Sequence, residues 1–418
     1  MGVPARRSTA VRVAALLTIG AFTTAACTGS DDVTPPTSAL ATTTSTVPLR
    51  ADDGVLKVGV LLPATGPGET LGTPMRVAVE AGIALINENG GVLGSAVEYA
   101  EADESTTSGM QNLLDEGVDA IIGPASSLVA LSQLATAVSS PNGVVVCSPT
   151  ATALALDDFP DNGYFFRTVP SDSLQMEAIA RQAERTGEAT ATIAYLDDPY
   201  GRGLARAVAD DIAERRVLEL VNQVAFSGDL EDLSVRAATV LADSPGVVIL
   251  LADADDGGRF LAAIDEIAQG GTAPQIVLND AIRTARQAIS SLSPGIRMQL
   301  TGIAPASASI EGGPEGAFAG QAVDCLNLIA LAVQQSESDA PREFRRDIAA
   351  VTAVGQLCDT FAECNDLLAQ DLQIDYNGLS GNIDLSGTTG DRTRAAFDRF
   401  QFEADGTERP LESPIVMP

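Results

Sequence analysis

Residues 120–147 read AIIGPASSLVALSQLATAVSSPNGVVVC, and this stretch decides the fold class. Its two ends, 120–123 and 143–147, are short runs of Ala, Val and Ile, long enough for a strand and too short for a helix. Between them, 127–138 carries apolar side chains at helical spacing. It opens on Ser126 and Ser127, a residue type that caps helix N-termini. Two wholly apolar strands joined by one helix form a parallel unit, and such a sheet is covered on both faces.

The alternation continues outward in both directions. Strands are expected at 56–62, 96–102, 191–196, 217–225, 247–251 and 275–278. Helices are expected at 75–89, 110–116, 176–185, 203–215, 233–242, 260–268 and 282–292. Helical stretches at 316–336, 342–354 and 360–372 follow, with a hairpin-like segment at 399–403. These strands are too numerous for one doubly wound sheet. The expected architecture is α/β, with two Rossmann-like lobes built on parallel central sheets. No internal repeat runs at solenoid or propeller spacing.

Composition narrows function by exclusion. Hydrophobic residues make up 45% of the 418, enough to bury a sizeable core. With 25 Lys+Arg against 56 Asp+Glu, the net charge is −31, which repels DNA and RNA. The chain has no histidine, which removes the commonest general base, most zinc sites and the Ser-His-Asp and Cys-His nucleophile arrangements. Aromatic residues are 4%, with no Trp, so an aromatic-lined carbohydrate groove is not expected. No cluster of metal ligands is legible in the sequence, and no cofactor is expected.

The start of the chain reads as an address. Arg6, Arg7 and Arg12 precede an uncharged run over 13–26, shorter than the roughly 20 residues needed to span a bilayer. Residues 1–26 therefore read as a signal peptide. Thr24, Ala25 and Ala26 directly before Cys27 resemble a bacterial lipoprotein signal in which Cys27 is lipidated. Thr24 stands where that pattern usually has Leu, and plain cleavage after Ala26 is the alternative. Residues 27–54, rich in Thr, Ser, Pro and Asp, read as a flexible tether between a membrane anchor and the folded body.

Several segments together carry a family resemblance: 58–67 (VGVLLPATGP), Gly72 with 84–94 (ALINENGGVLG), 122–127 (IGPASS), 148–153 (SPTATA), 165–172 (FFRTVPSD), 197–203 (DDPYGRG) and 376–378 (YNG). In number, order and spacing they resemble the solute-binding proteins of branched-chain amino acid ABC transporters, the type 1 periplasmic binding proteins, over about residues 55–405. The resemblance implies two lobes joined by three crossovers that close on a ligand like a hinged jaw. Lobe one would hold 55–171 plus about 302–372, and lobe two 172–301 plus about 373–418.

Ligands of open α/β sheets sit at the C-terminal ends of strands, against helix N-termini. The resemblance places a carboxylate-binding serine at Ser127, with Ser126 as its neighbour; a plain helix cap is the alternative. It brings Thr150, Ala151 and Thr152 to the ligand's carboxylate and amine through a hydroxyl and backbone groups. It also implies that Tyr200, from lobe two, closes over the ligand. Asp280 stands where the family has an acid for the ligand's ammonium, with Asn279 or a capping role as alternatives, and Asp253 is a weaker candidate for the same task. Leu71 replaces an aromatic wall residue of several amino-acid binders, which leaves room for a different ligand side chain.

Beyond Cys27 the chain holds Cys147, Cys325, Cys358 and Cys364. Cys358 and Cys364, close together across an expected helix–helix turn, are expected to bridge in an exported chain. Cys147 and Cys325, in apolar elements, are expected to remain buried thiols. The expected function is capture of a small polar solute, an amino acid or a related amide or carboxylate, by a monomer that delivers it to an ABC permease. A ligand-sensing receptor of the same fold is the alternative. An enzyme is disfavoured, since without histidine only carboxylates or a metal could act.

Overall fold

The computed structural model describes residues 50, 52–139, 142–268, 273–306 and 316–417. The signal-peptide and Cys27 readings, and most of the tether, lie outside them. The first lobe begins with β1 (Lys57–Leu62), α1 (Glu69–Glu88), β2 (Glu98–Asp103), α2 (Gly109–Asp115), β3 (Ala120–Ile122), α3 (Ser127–Ala137), β4 (Val145–Ser148) and β5 (Phe165–Arg167). The strands form one parallel sheet in the order β2-β1-β3-β4-β5. Its central strands β1, β3 and β4 are buried almost throughout, which is why they read as unbroken apolar runs and not as alternations.

The second lobe follows with α4 (Asp172–Glu184), β6 (Thr190–Leu196), α5 (Pro199–Arg215), β7 (Glu219–Phe226), α6 (Leu230–Ala242), β8 (Val247–Leu251), α7 (Ala254–Ile267) and β9 (Gln275–Leu278). Three short helices, α8 (Asp280–Arg283), α9 (Arg286–Ser291) and α10 (Pro294–Arg297), lead into β10 (Leu300–Pro305). The helix expected over 282–292 is broken because Ala285 leaves helical geometry at ψ 45°. Strand side chains alternate between two helical layers. Val248 and Leu250 pack with Ala237, Phe260 and Ile264, whereas Val247, Ile249 and Leu251 pack with Ile179 and Val208.

The chain then returns to lobe one through α11 (Ala319–Ser336), α12 (Pro341–Phe344), α13 (Asp347–Ala350), β11 (Gln356–Cys358), α14 (Phe361–Leu368), β12 (Ile374–Gly378) and β13 (Gly381–Asn382). The expected helix over 342–354 is thus two short ones, parted at Arg345, which reaches away to the Asn162 carbonyl (2.6 Å) and lies over the Tyr164 ring. The chain ends in lobe two with β14 (Ala395–Phe402) and β15 (Glu408–Met417), an antiparallel hairpin. This is the hairpin expected near 399–403, grown much longer. The lobe-two sheet runs β15-β14-β10-β9-β8-β6-β7, parallel from β10 to β7.

Two lobe boundaries differ from expectation. The return to lobe one comes after β10, not at 302, because β10 pairs in parallel with β9 and antiparallel with β14, burying Leu300 and Ile303. The last crossing lies near 392–395, not at 373, because Ile374, Tyr376, Ile383 and Leu385 belong to the lobe-one core. An anchor on α11 holds them there. Buried Asp324 accepts hydrogen bonds from the Tyr376 hydroxyl (2.8 Å) and from the amides of Leu379 (2.8 Å) and Ser380 (2.7 Å). Gly378 is required at this contact, since a Cβ there would stand 2.0 Å from Asp324 Oδ1.

The cysteines form two disulfides. Cys358–Cys364 is the expected bridge. Cys147 and Cys325 are also bonded to each other, contrary to the expectation of thiols. The end of β4 packs on α11, so two residues 178 apart in sequence come within 5.6 Å, Cα to Cα. A pairing of that span has no local signature.

Candidate functional site

In both lobes the loops at the C-terminal ends of the parallel strands carry the polar residues. In lobe one these are the exits of β1, β3 and β4. In lobe two they are the exits of β6, β8 and β9, joined by the first turn of α4.

The β3 exit turns sharply at Gly123, which has φ +112° and sits so close to β1 that a Cβ would lie 2.0 Å from the Leu61 carbonyl. Ser126 then caps α3, its hydroxyl accepting from the Val129 amide (3.4 Å). The Ser126 amide, beside the serine expected to bind a ligand carboxylate, instead donates with the Ala125 amide to the buried carboxylate of Glu104 (3.1 Å from Ser126). Burial pushes Glu104 up to about 7; the two amides oppose that shift and neighbouring Asp103 adds to it. Ser127 Oγ accepts from the Ala153 amide (3.2 Å), joining the β3 and β4 exits. Asp103, also at the end of β2, accepts from the Ala64 amide (3.0 Å) and the Thr65 hydroxyl (2.6 Å) at the β1 exit. Two adjacent acids of the edge strand thus hold the loops of two neighbouring strands, a role no sequence pattern marked.

After β4, the Ser148 hydroxyl donates to the Pro124 carbonyl (2.6 Å) and accepts from the Ala151 amide (2.9 Å). Thr150 Oγ1 donates to the Ala125 carbonyl (2.7 Å), so this hydroxyl staples two loops together. Ala151 is wholly buried, its amide held by Ser148 and its carbonyl facing Arg167 Nη1 (3.4 Å). Thr152 is half-buried, and its carbonyl accepts from the amide of Asp172 (2.8 Å), the first residue of α4.

On the other side, Tyr200 stands half-buried in the first turn of α5, its hydroxyl facing the Asn279 side chain. Burial raises Tyr200 well above its ordinary value, and the nearby charges of Asp172 and Asp280 raise it further. Asp280 opens α8, its carboxylate accepting from the Ala281 amide (2.8 Å), with Gln175 beside it. Asp172 is fully buried, and neither of its carboxylate oxygens has a hydrogen-bond partner. Burial, then the charge of Asp280, pushes Asp172 up to about 7; the facing Thr152 hydroxyl opposes this.

The nearby cations are engaged elsewhere. Arg167 pairs with Asp157 and Asp391 (2.6 Å each), and Arg283 pairs with Glu408 (2.7 Å). A buried acid and a half-buried one without a dedicated cation form a site short of one positive charge.

Ser127, Ala151, Thr152, Tyr200 and Asp280 therefore gather around the junction of the lobes. Asp172, which sequence reasoning missed, sits among them. It lies in the segment FFRTVPSD, where an acid in the first turn of a helix reads as an ordinary partner of the helix dipole. Four candidates fall outside this group. Ser126 is the cap of α3 and Thr150 a staple between loops. Asp253 is exposed and caps α7, accepting from the Asp256 amide (2.8 Å). Leu71 lies in the first turn of α1, packed against the lobe-one core. Among the described residues, no group of three or more Cys, Asp and Glu side chains is arranged to hold a metal ion, and no helix is long and apolar enough to cross a membrane.

Two lobes of parallel sheet, crossed three times by the chain and facing each other through polar strand-exit loops, are the architecture of an extracytoplasmic binding protein. The chain belongs to the periplasmic binding protein family, whose sequence pattern matches residues 55–305. It is 27% identical over 354 residues to the chemotactic signal transduction system substrate-binding protein BasB of Halobacterium salinarum, covering 79% of this chain and 83% of that one. It is 26% identical to the Leu/Ile/Val-binding protein BraC3 of Rhizobium johnstonii, over 56% of this chain and 64% of the relative. Among solved structures, an ABC transporter substrate-binding protein from Desulfitobacterium hafniense in complex with Leu superposes with a TM-score of 0.66. It shares 20% identity over 85% of this chain and 100% of its own. The isoleucine complex of LivJ from Streptococcus pneumoniae superposes at 0.64 and 18% identity, over 87% of this chain and 99% of its own. At these identities the structures speak for the fold.

Proposed function

We propose that this chain captures an α-amino acid outside the cytoplasm and hands it to an ABC permease. The observation that carries the reading is Asp172. A fully buried carboxylate with neither oxygen partnered, beside a second acid and a tyrosine ring, fits a ligand ammonium. Across the cleft, the hydroxyls of Ser127 and Thr152 fit the ligand's carboxylate. Asp172 and Asp280 hold the amine, Tyr200 covers it, and Ser127 and Thr152 hold the acid.

The protein acts as a monomeric binder with no chemistry of its own, exported by residues 1–26 and anchored through lipidated Cys27. One relative favours a second reading: BasB is a chemotactic substrate-binding protein, and a sensory partner would use the same cleft.

A thermal-shift screen tests the reading. A ligand that binds only the native state raises its melting temperature. Amino acids are expected to do so, while the analogues of each hit lacking the amine or with the carboxylate amidated are not. If carboxylates without an amine stabilise as strongly, the amino-acid reading fails.

A further inference from the structure

Arg167 ends β5 at the first crossover, is wholly buried, and reaches two separate parts of the chain. Its Nε donates to Asp391 Oδ1 (2.6 Å) at the third crossover. Its Nη2 donates to Asp157 Oδ1 (2.6 Å), and its Nη1 to the carbonyls of Ala151 (3.4 Å) and Ala153 (3.3 Å) in the β4 exit loop. Around it the crossovers are laced together. The Arg167 amide donates to the Gly390 carbonyl (3.1 Å), and Arg392 Nη1 to the Thr168 carbonyl (3.1 Å). The Ser171 hydroxyl, at the start of lobe two, donates to the same Asp157 oxygen (2.6 Å).

We propose that Arg167 is a positioning residue of the cleft: its planar fork ties the 151–157 loop to the first and third crossovers, so that the loop and the hinge hold one another in place. A guanidinium suits this because it donates in several fixed directions at once, which an ammonium cannot do. Removing it leaves the buried carboxylate of Asp391, the half-buried one of Asp157 and two loop carbonyls without this donor. That residues 151–153 face a ligand rests on the function proposed above. The latch itself does not, and its test uses no ligand.

The test is native-state hydrogen exchange on the unliganded full chain, which reads local opening separately from global unfolding. The reporters are the Ala153 amide, held by Ser127, and the Asp172 amide, held by Thr152. Arg167→Lys keeps the charge and loses the fork. It is expected to speed exchange at both reporters by about tenfold beyond any change in β8, the range of a local opening. Asp157→Asn keeps an acceptor oxygen, so it is expected to give the same pattern at lower amplitude, and it serves alone if Arg167→Lys does not fold. The proposal is overturned if the reporters are unchanged, or if β8 accelerates as much as they do.

Discussion

The backbone amide of Asp172 donates to the carbonyl of Thr152 across 2.8 Å, joining the first helix of lobe two to the loop of lobe one that follows β4. The hydrogen bond brings an unpartnered carboxylate to the mouth of that loop. The proposed binding chemistry and the contact between the lobes therefore meet in one residue.

Asp172 makes stability depend on pH in an unusual direction. Its ordinary value is near 3.8, and in the fold it lies at about 7. Between those values the native chain keeps a proton that the unfolded chain has lost, so stability falls as pH rises through that window and the full penalty applies above it. Glu104 and Asp119, each at about 7 through burial, act in the same sense. The unliganded melting temperature is expected to drop between pH 5 and pH 8, by less in Asp172→Asn. An equal slope in both proteins would clear Asp172 of the effect.

A ligand ammonium favours the charged form of Asp172, so binding near pH 6 should expel a proton. Calorimetric titration in buffers of different ionisation enthalpy measures the number released, and about one is expected at pH 6, falling toward zero at pH 8. Asp172→Asn should release fewer and weaken binding by roughly a hundredfold or more, the range for loss of a buried charged partner. Proton uptake, or no linkage in the wild type, contradicts the assignment.

Ser127→Ala removes one hydroxyl from the carboxylate side and leaves the helix amides in place. A charged-acceptor hydrogen bond contributes about 1.5–3 kcal/mol, so affinity should fall about tenfold or more. The Ala153 amide also loses its partner, so a small loss of stability accompanies it. Ser132→Ala should be silent, since that exposed hydroxyl only returns to the Val129 carbonyl of its own helix (2.9 Å). Wild-type affinity in Ser127→Ala would make the residue a loop staple and nothing more.

The two disulfides should differ in weight. In the chain-entropy picture, closing a 178-residue separation stabilises by about 5 kcal/mol and closing one of 6 residues by about 2 kcal/mol. Cys147→Ala with Cys325→Ala should therefore lower the denaturation midpoint much more than the corresponding change at Cys358 and Cys364. A thiol count on the denatured, unreduced chain lacking Cys27 should find none. Two free thiols would mean that one of the two bridges does not form.

Much of this protein is legible locally. Where β8 is buried on both faces, the run at 247–251 could only be an interior strand, and Ser126 and Ser127 announce the start of α3 by their chemistry. β10 escaped notice because its apolar residues are interrupted by Thr301 and Gly302. Its place depends on β9 and β14, the latter about a hundred residues away. The candidates Ser127, Thr152, Tyr200 and Asp280 were each found at a strand exit. Asp172 and Arg167 were not, since their meaning lies in what surrounds them.

The sequence by itself determined the alternation of strand and helix, the acidic surface, the exclusion of histidine chemistry and the loops that could meet a ligand, because periodicity and composition are properties of neighbouring residues. Only the tertiary structure decided that Cys147 bonds Cys325, that Glu104 occupies the amides before α3, that Asp172 is buried without a partner, and that Arg167 ties a loop to two crossovers. Burial and pairing at such separations arise when distant segments pack together, and they leave no mark in the local order of residues.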